Sequence, residues 1–255
     1  MLQRVTALAV AFAVALSALP ARAAEVVDLA LILAVDVSRS IDSDEYRLQR
    51  EGYARAFSDP RVINAIRSGS HRRIAVQFIE WSTSDMQQVV VDWTVIGDEE
   101  SAALFSAAIM NISRTFADRT SISGGIDFAV RQFARAGVIT DRRTIDVSGD
   151  GVNNSGRSVN AARDDAVRLG ITINGLPIIN DNPNPFPFGG GGFGGFGGFN
   201  VPPEGLAEYY RQNVIGGVGA FIMVAEDFQS FAFAVTNKLI REIAEAPPAP
   251  LQAGE

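Results

Sequence analysis

Residues 28–40, DLALILAVDVSRS, decide the fold. Leu29 to Val35 is an unbroken apolar run rich in Leu, Ile and Val. Bounded by polar residues, such a run fits a strand buried on both faces of a sheet. It stops abruptly, and Asp36, Ser38 and Ser40 then place hard oxygen donors on alternate residues. In open α/β sheets the carboxyl ends of the strands are where ligand sites gather. A helix N-cap at Ser40 or Asp42 accounts for one of these polar residues but not for three in alternation. Oxygen donors of this kind suit Mg²⁺, Mn²⁺ or Ca²⁺ rather than zinc or copper.

Outward from this stretch the chain alternates helical and strand patterns. Asp42–Phe57 reads as a helix, with Leu48, Tyr53 and Phe57 near helical spacing and acids in its first turn. Asp59-Pro60 ends it, and Arg61–Arg67 reads as a short second helix. Arg73–Trp81 and Gln87–Trp93 read as two strands joined as a hairpin through polar residues Ser82–Asp85. Helices are expected over Asp98–Ile112 and Ile122–Ala136, with Ser113–Thr120 as the loop between them. Then follow a strand over Arg143–Ser148, a helix over Ser158–Leu169 and a buried strand over Ile171–Ile179. A helix over Glu204–Gln212, a last strand over Gly219–Ala225 and a long helix over Asp227–Ala244 complete the pattern. Strands alternating with helices imply an α/β fold, with a mostly parallel central sheet and helices on both faces.

The ends and one insertion stand apart. Residues 1–23 have a basic start at Arg4, a largely apolar stretch from Val5 to Leu19, and Ala21-Arg22-Ala23. That is the pattern of a secretory signal, with cleavage expected after Ala23 and export to the periplasm or the medium. The stretch is shorter than the ~20 residues a membrane-spanning helix needs, so no integral membrane segment is expected in the mature protein. Loss of Arg4 and Arg22 would move the formal charge from −7 to −9. Such acidity argues against nucleic acid or an anionic membrane surface as partner. With no cysteine, disulfides and thiolate metal sites are excluded. Residues 24–245 are expected to form one domain around a single core. Residues 182–203, NPNPFPFGGGGFGGFGGFNVPP, read as a flexible Gly/Phe-rich insertion, whose five Phe could instead serve as a partner-binding loop. Residues 246–255 read as a disordered proline-rich tail.

Two further oxygen-bearing loops sit in equivalent places. Arg119-Thr120-Ser121-Ile122-Ser123-Gly124-Gly125-Ile126 runs into a helix, and Ser148-Gly149-Asp150-Gly151 follows a strand. If both open on the same sheet edge, Asp36, Ser38, Ser40, Thr120 and Asp150 meet and hold a divalent cation, with water or an outside ligand completing the shell. DVSRS, RTSISGGI and SGDG together resemble the three pieces of the metal-ion-dependent adhesion site (MIDAS) of von Willebrand factor type A (VWA) domains. Residues 206–232, LAEYYRQNVIGGVGAFIMVAEDFQSFA, resemble a branch of exported bacterial VWA-like proteins known only as a domain of unknown function. Gly149 departs from the pattern, since Thr or Ser commonly precedes that Asp in the family.

The resemblance implies a Rossmann-like VWA fold with one antiparallel edge strand. It also implies a cation, magnesium first and manganese or calcium as alternatives, bound by Asp36, Ser38, Ser40, Thr120 and Asp150. A protein partner is expected to supply an Asp or Glu carboxylate to the open coordination position. In several relatives ligand binding is coupled to movement of the last helix, which here corresponds to Asp227–Ala244.

An enzyme is not expected. The single histidine, His71, lies between a Gly-Ser turn and a strand and reads as a surface residue. The chain has no GxSxG elbow, no cysteine nucleophile and no P-loop. The competing readings are a metal-dependent hydrolase or phosphoryl-transfer enzyme using Asp36, and a structural envelope protein with a vestigial metal site.

Overall fold

The strand β2 (Ala30–Asp36) has all seven residues buried. Its side chains divide by period two between separate cores: Leu31, Leu33 and Val35 on one face, Ile32 and Ala34 on the other. That division requires helices on both sides of the sheet. The computed structural model describes residues 24–179 and 205–244. The leader, the Gly/Phe-rich segment and the tail therefore lie outside the described residues.

In chain order the elements are β1 (Glu25–Val26), β2, α1 (Ser43–Phe57), α2 (Pro60–Ser68), β3 (Ile74–Trp81), β4 (Gln87–Ile96), α3 (Glu99–Met110) and α4 (Ile122–Gln132). A 3-10 turn over Phe133–Arg135 precedes β5 (Val138–Ile139), β6 (Arg143–Gly149), α5 (Val159–Arg168) and β7 (Ile171–Pro177). A short helix α6 (Leu206–Tyr209) passes into a π turn, Tyr210–Val214, and α7 (Phe231–Ala244) follows. The main sheet has the order β4-β3-β2-β6-β7, parallel except for the antiparallel β3–β4 pair at one edge. A small parallel pair, β1 with β5, was not foreseen from the sequence.

The helices follow from local chemistry. Asp42 caps α1 in a full capping box with Glu45, so the cap suspected in the first loop lies just beyond the serine series. Asp59 caps α2 with Pro60 at its first position, and Asp98 caps α3. One face of the sheet packs Tyr53 and Phe57 of α1, Phe105 of α3, and Phe231, Val235 and Leu239 of α7. The other face packs Ile122, Ile126 and Ala129 of α4, Ala162 and Ala166 of α5, and Tyr210.

Several elements differ from expectation, among them the helix expected over Glu204–Gln212, which is the short α6 and its π turn, and the strand expected over Gln87–Trp93, which runs on to Ile96. Residues 219–225 form isolated bridges, Gly175 to Ile222 and Ile178 to Ala225, instead of a regular strand. Pro177 has no N–H to donate, and the Phe221 N–H is diverted to the Asn174 side chain at 3.0 Å, so the ladder is interrupted. The last helix starts at Phe231 because the Asp227 carboxylate accepts from the Ser230 N–H in a preceding turn. The helix expected over Ile122–Ala136 keeps α-helical form only to Gln132.

Candidate metal centre

β2 and β6 are parallel neighbours with Val35 opposite Ser148, so their following loops leave the same sheet edge side by side. Asp36, at the end of β2, is fully buried, and its Oδ1 accepts the Ser38 N–H at 2.7 Å. The Ser38 and Ser40 hydroxyls share a hydrogen bond at 3.1 Å, and the Ser40 hydroxyl donates to Asp150 Oδ1 at 2.7 Å. The Thr120 hydroxyl donates to Ser38 Oγ at 3.2 Å. All five residues singled out in the sequence thus converge. Asp36, Ser38 and Thr120 form a buried floor, while Ser40 and Asp150 are half-buried at its rim.

Three side chains outside the five hold these loops. Arg114 donates to the carbonyls of Val37 and Ser38, each at 2.6 Å, and of Ile41 at 2.8 Å, clamping the first loop. The buried Ser82 hydroxyl accepts the Asp118 N–H at 2.8 Å and donates to the Arg119 carbonyl at 3.0 Å, seating the residues before Thr120. Asn154 ties the second and third loops together: its Oδ1 accepts the Thr120 N–H at 3.0 Å, and its N–H returns a bond to the Thr120 carbonyl at 2.9 Å. None of the three carries a sequence signal of its own, because each acts on backbone groups distant in the chain.

Tyr210 was also missed, and it explains the departure at Gly149. A Cβ there would lie 2.9 Å from Asp36 Oδ2 and 3.0 Å from Tyr210 Oη. The space a Thr or Ser side chain would need is therefore taken by the tyrosine hydroxyl. Tyr210 is fully buried, and burial first, then the Asp36 and Asp150 charges, push its phenol well above the ordinary value.

The residues present fit a hard cation. Asp36 Oδ2 is buried with no hydrogen-bond partner among the described residues, an arrangement that costs free energy unless something else satisfies the oxygen. Burial raises the Asp36 carboxyl well above its usual range, with the Asp150 charge as the next cause. Burial likewise raises Asp150. Two neighbouring carboxyls that resist ionisation together are what a bound cation relieves. Among the described residues no group of three or more His, Cys, Asp or Glu is placed to hold a metal ion. A site here must draw on hydroxyls as well as its two carboxylates, which favours hard ions over soft ones.

The family described as "Protein of unknown function (DUF1194)" matches residues 25–247. The chain belongs to this family. No curated protein matches it. Solved structures show the fold to be that of VWA domains. One, a von Willebrand factor type A protein from Catenulispora acidiphila, is 15% identical with a TM-score of 0.53, covering 85% of this chain and 43% of that one. BatB, a conserved hypothetical protein from Bacteroides thetaiotaomicron, is 21% identical with a TM-score of 0.52, over 86% of this chain and 100% of that one. Proximal thread matrix protein 1 from the mussel byssus, in a structure with a zinc-occupied MIDAS motif, is 14% identical with a TM-score of 0.55. That match covers 86% of this chain and 46% of the mussel chain. This DUF1194 chain thus spans less than half the length of two of these three.

Proposed function

We propose that this DUF1194 protein is an exported, non-enzymatic binding module that holds a divalent cation and, through it, an acidic side chain of a protein partner. The observation that carries the reading is the convergence of Asp36, Ser38, Ser40, Thr120 and Asp150 around a buried carboxylate oxygen that none of the described residues satisfies. Asp36 and Asp150 supply the charge, and Ser38, Ser40 and Thr120 supply neutral oxygens. Two carboxylates balance the charge of the ion while five donors leave an octahedral shell incomplete, so an outside carboxylate has an open position to fill on the metal itself. The zinc-occupied motif of the mussel protein supports a divalent ion in this fold. Magnesium is the ion we assign, because an all-oxygen set of this charge suits it. An acidic protein recruits an acidic partner locally through such an ion.

The leader-like first 23 residues support export, and among the described residues no helix is long and apolar enough to cross a membrane. The test is a thermal melt titrated with Mg²⁺, Mn²⁺ and Ca²⁺, beside Asp36→Ala and Asp150→Ala. Saturation at 100 times the dissociation constant adds about 2.7 kcal/mol, visible as a raised midpoint. A shift in the wild type that both variants lose supports the reading. Equal response of wild type and variants to all three ions overturns it.

A further inference from the structure

The chain has a single lysine among its 22 basic residues, and Lys238 is fully buried in the centre of α7. Its Nζ lies 2.7 Å from Asp146 Oδ1 on β6 and also contacts Glu242 one turn along the helix. Asp146 is fully buried and Glu242 nearly so, which encloses two acids and one base beneath the helix. The Asn174 side chain donates to Glu242 Oε1 at 2.8 Å, and the Phe221 ring covers Nζ at 5.2 Å. Among the described residues neither Asp146 oxygen has an aligned hydrogen-bond donor, and Glu242 Oε2 has no partner. Enclosing these charges is costly, and turning the Lys238–Asp146 pair into a neutral amide removes two of the three.

We propose that Lys238 and Asp146 condense into an intramolecular isopeptide bond that ties α7 to β6, with Glu242 as the proton carrier. The ion pair has the same composition as a carboxylic acid beside an amine, so a proton shift from Nζ to Asp146 readies both partners. Burial, opposed by the Lys238 charge and reinforced by that of Glu242, raises the Asp146 carboxyl to about 7, which brings the acid form within reach. The Nζ lone pair then attacks Cγ. With a C–O bond of about 1.2 Å, Nζ is no more than about 4 Å from that carbon, close to a near-attack separation. The new C–N bond forms, Glu242 accepts a proton from the attacking nitrogen and passes it to the Asp146 hydroxyl, and the C–O bond breaks to release water. Glu242 ends as it began, and no oxidant, metal or cofactor enters the balance.

The bond would hold α7 against the strand that leads to Asp150. The helix movement that the VWA resemblance implies would then be blocked at Lys238. This proposal is independent of the cation site.

The unique lysine makes the test direct. The purified chain is expected to weigh one water less than its sequence and, once denatured, to resist a lysine-specific protease at residue 238. Fragmentation should give a peptide from β6 joined to one from α7 through Asp146 and Lys238. Glu242→Gln, shown to be folded by a cooperative melt, should have full mass and be cut after Lys238. A wild-type chain cut at that position overturns the proposal, even if it is one water light through dehydration at Asp150-Gly151. A join that maps to Glu242 or Asn174 also overturns it, and a folded Glu242→Gln chain that still links overturns the role of Glu242. Should that variant fail to fold, the wild-type mass and digest decide the matter alone.

Discussion

The Tyr210 hydroxyl sits 3.0 Å from the point where a side chain at Gly149 would begin, beside the unpartnered Oδ2 of Asp36. Glycine and tyrosine here are two halves of one packing solution, separated by sixty-one residues in the chain. Gly149→Thr should therefore destabilise the protein by about 1–3 kcal/mol, the usual range for overpacking. Combined with Tyr210→Phe, which removes the obstructing oxygen, much of that loss should return. A double-mutant cycle of unfolding midpoints measures the coupling, and additive losses would show that the two positions are independent.

Arg114 is the main tether of the DVSRS loop, through three backbone carbonyls. Hydrogen bonds to a charged donor contribute about 1.5–3 kcal/mol each, less where solvent replaces them. Arg114→Ala is expected to lower stability by about 2 kcal/mol. It should also accelerate hydrogen exchange at Ser38 and Ile41 more than elsewhere. Uniform acceleration across the sheet would show general destabilisation instead.

Gly125 packs on the ring of Trp81, where a Cβ would lie 2.9 Å from the nearest ring atom. Alanine in a helix gains about 1 kcal/mol over glycine from propensity. The buried indole cannot yield easily, and overpacking costs about 1–3 kcal/mol. The clash should win, so Gly125→Ala is expected to lower the melting midpoint.

The carboxyls of Asp36 and Asp150 are both raised in the folded state. A raised carboxyl binds its proton more tightly when folded, so its contribution is fully present below the ordinary aspartate value of about 3.9 and is lost as pH rises through the folded value. The cation-free wild type should therefore lose stability relative to Asp36→Asn as pH rises from about 4 through the raised folded-state values. A saturating cation should reverse that order, because both carboxylates are then ionised against the metal, and its affinity should climb with pH as protons are released. Melts of the two chains across this range, with and without Mg²⁺, check the sign.

Much of this was written in the sequence because it depends on local order. The apolar run at Leu29–Val35 and the alternation of helix and strand patterns specify a parallel α/β sheet, since period two and helical spacing act over a few residues. The DxSxS series and the two later loops singled out five residues that converge, and in a parallel sheet strand order brings four of them, Asp36, Ser38, Ser40 and Asp150, to one edge. What only the tertiary structure decided are partnerships between distant groups. Tyr210 fills the space beside Gly149, and Arg114, Ser82 and Asn154 hold loops through backbone groups that any sequence possesses. Residues 219–225 show the same limit, since the β pattern is present but Pro177 on the neighbouring strand has no N–H to complete the ladder. Lys238 is the strongest case. A lysine in an amphipathic helix reads as solvated, and only the packing of α7 on β6 encloses it with Asp146 and Glu242, because burial is a property of the assembled layers and not of the segment.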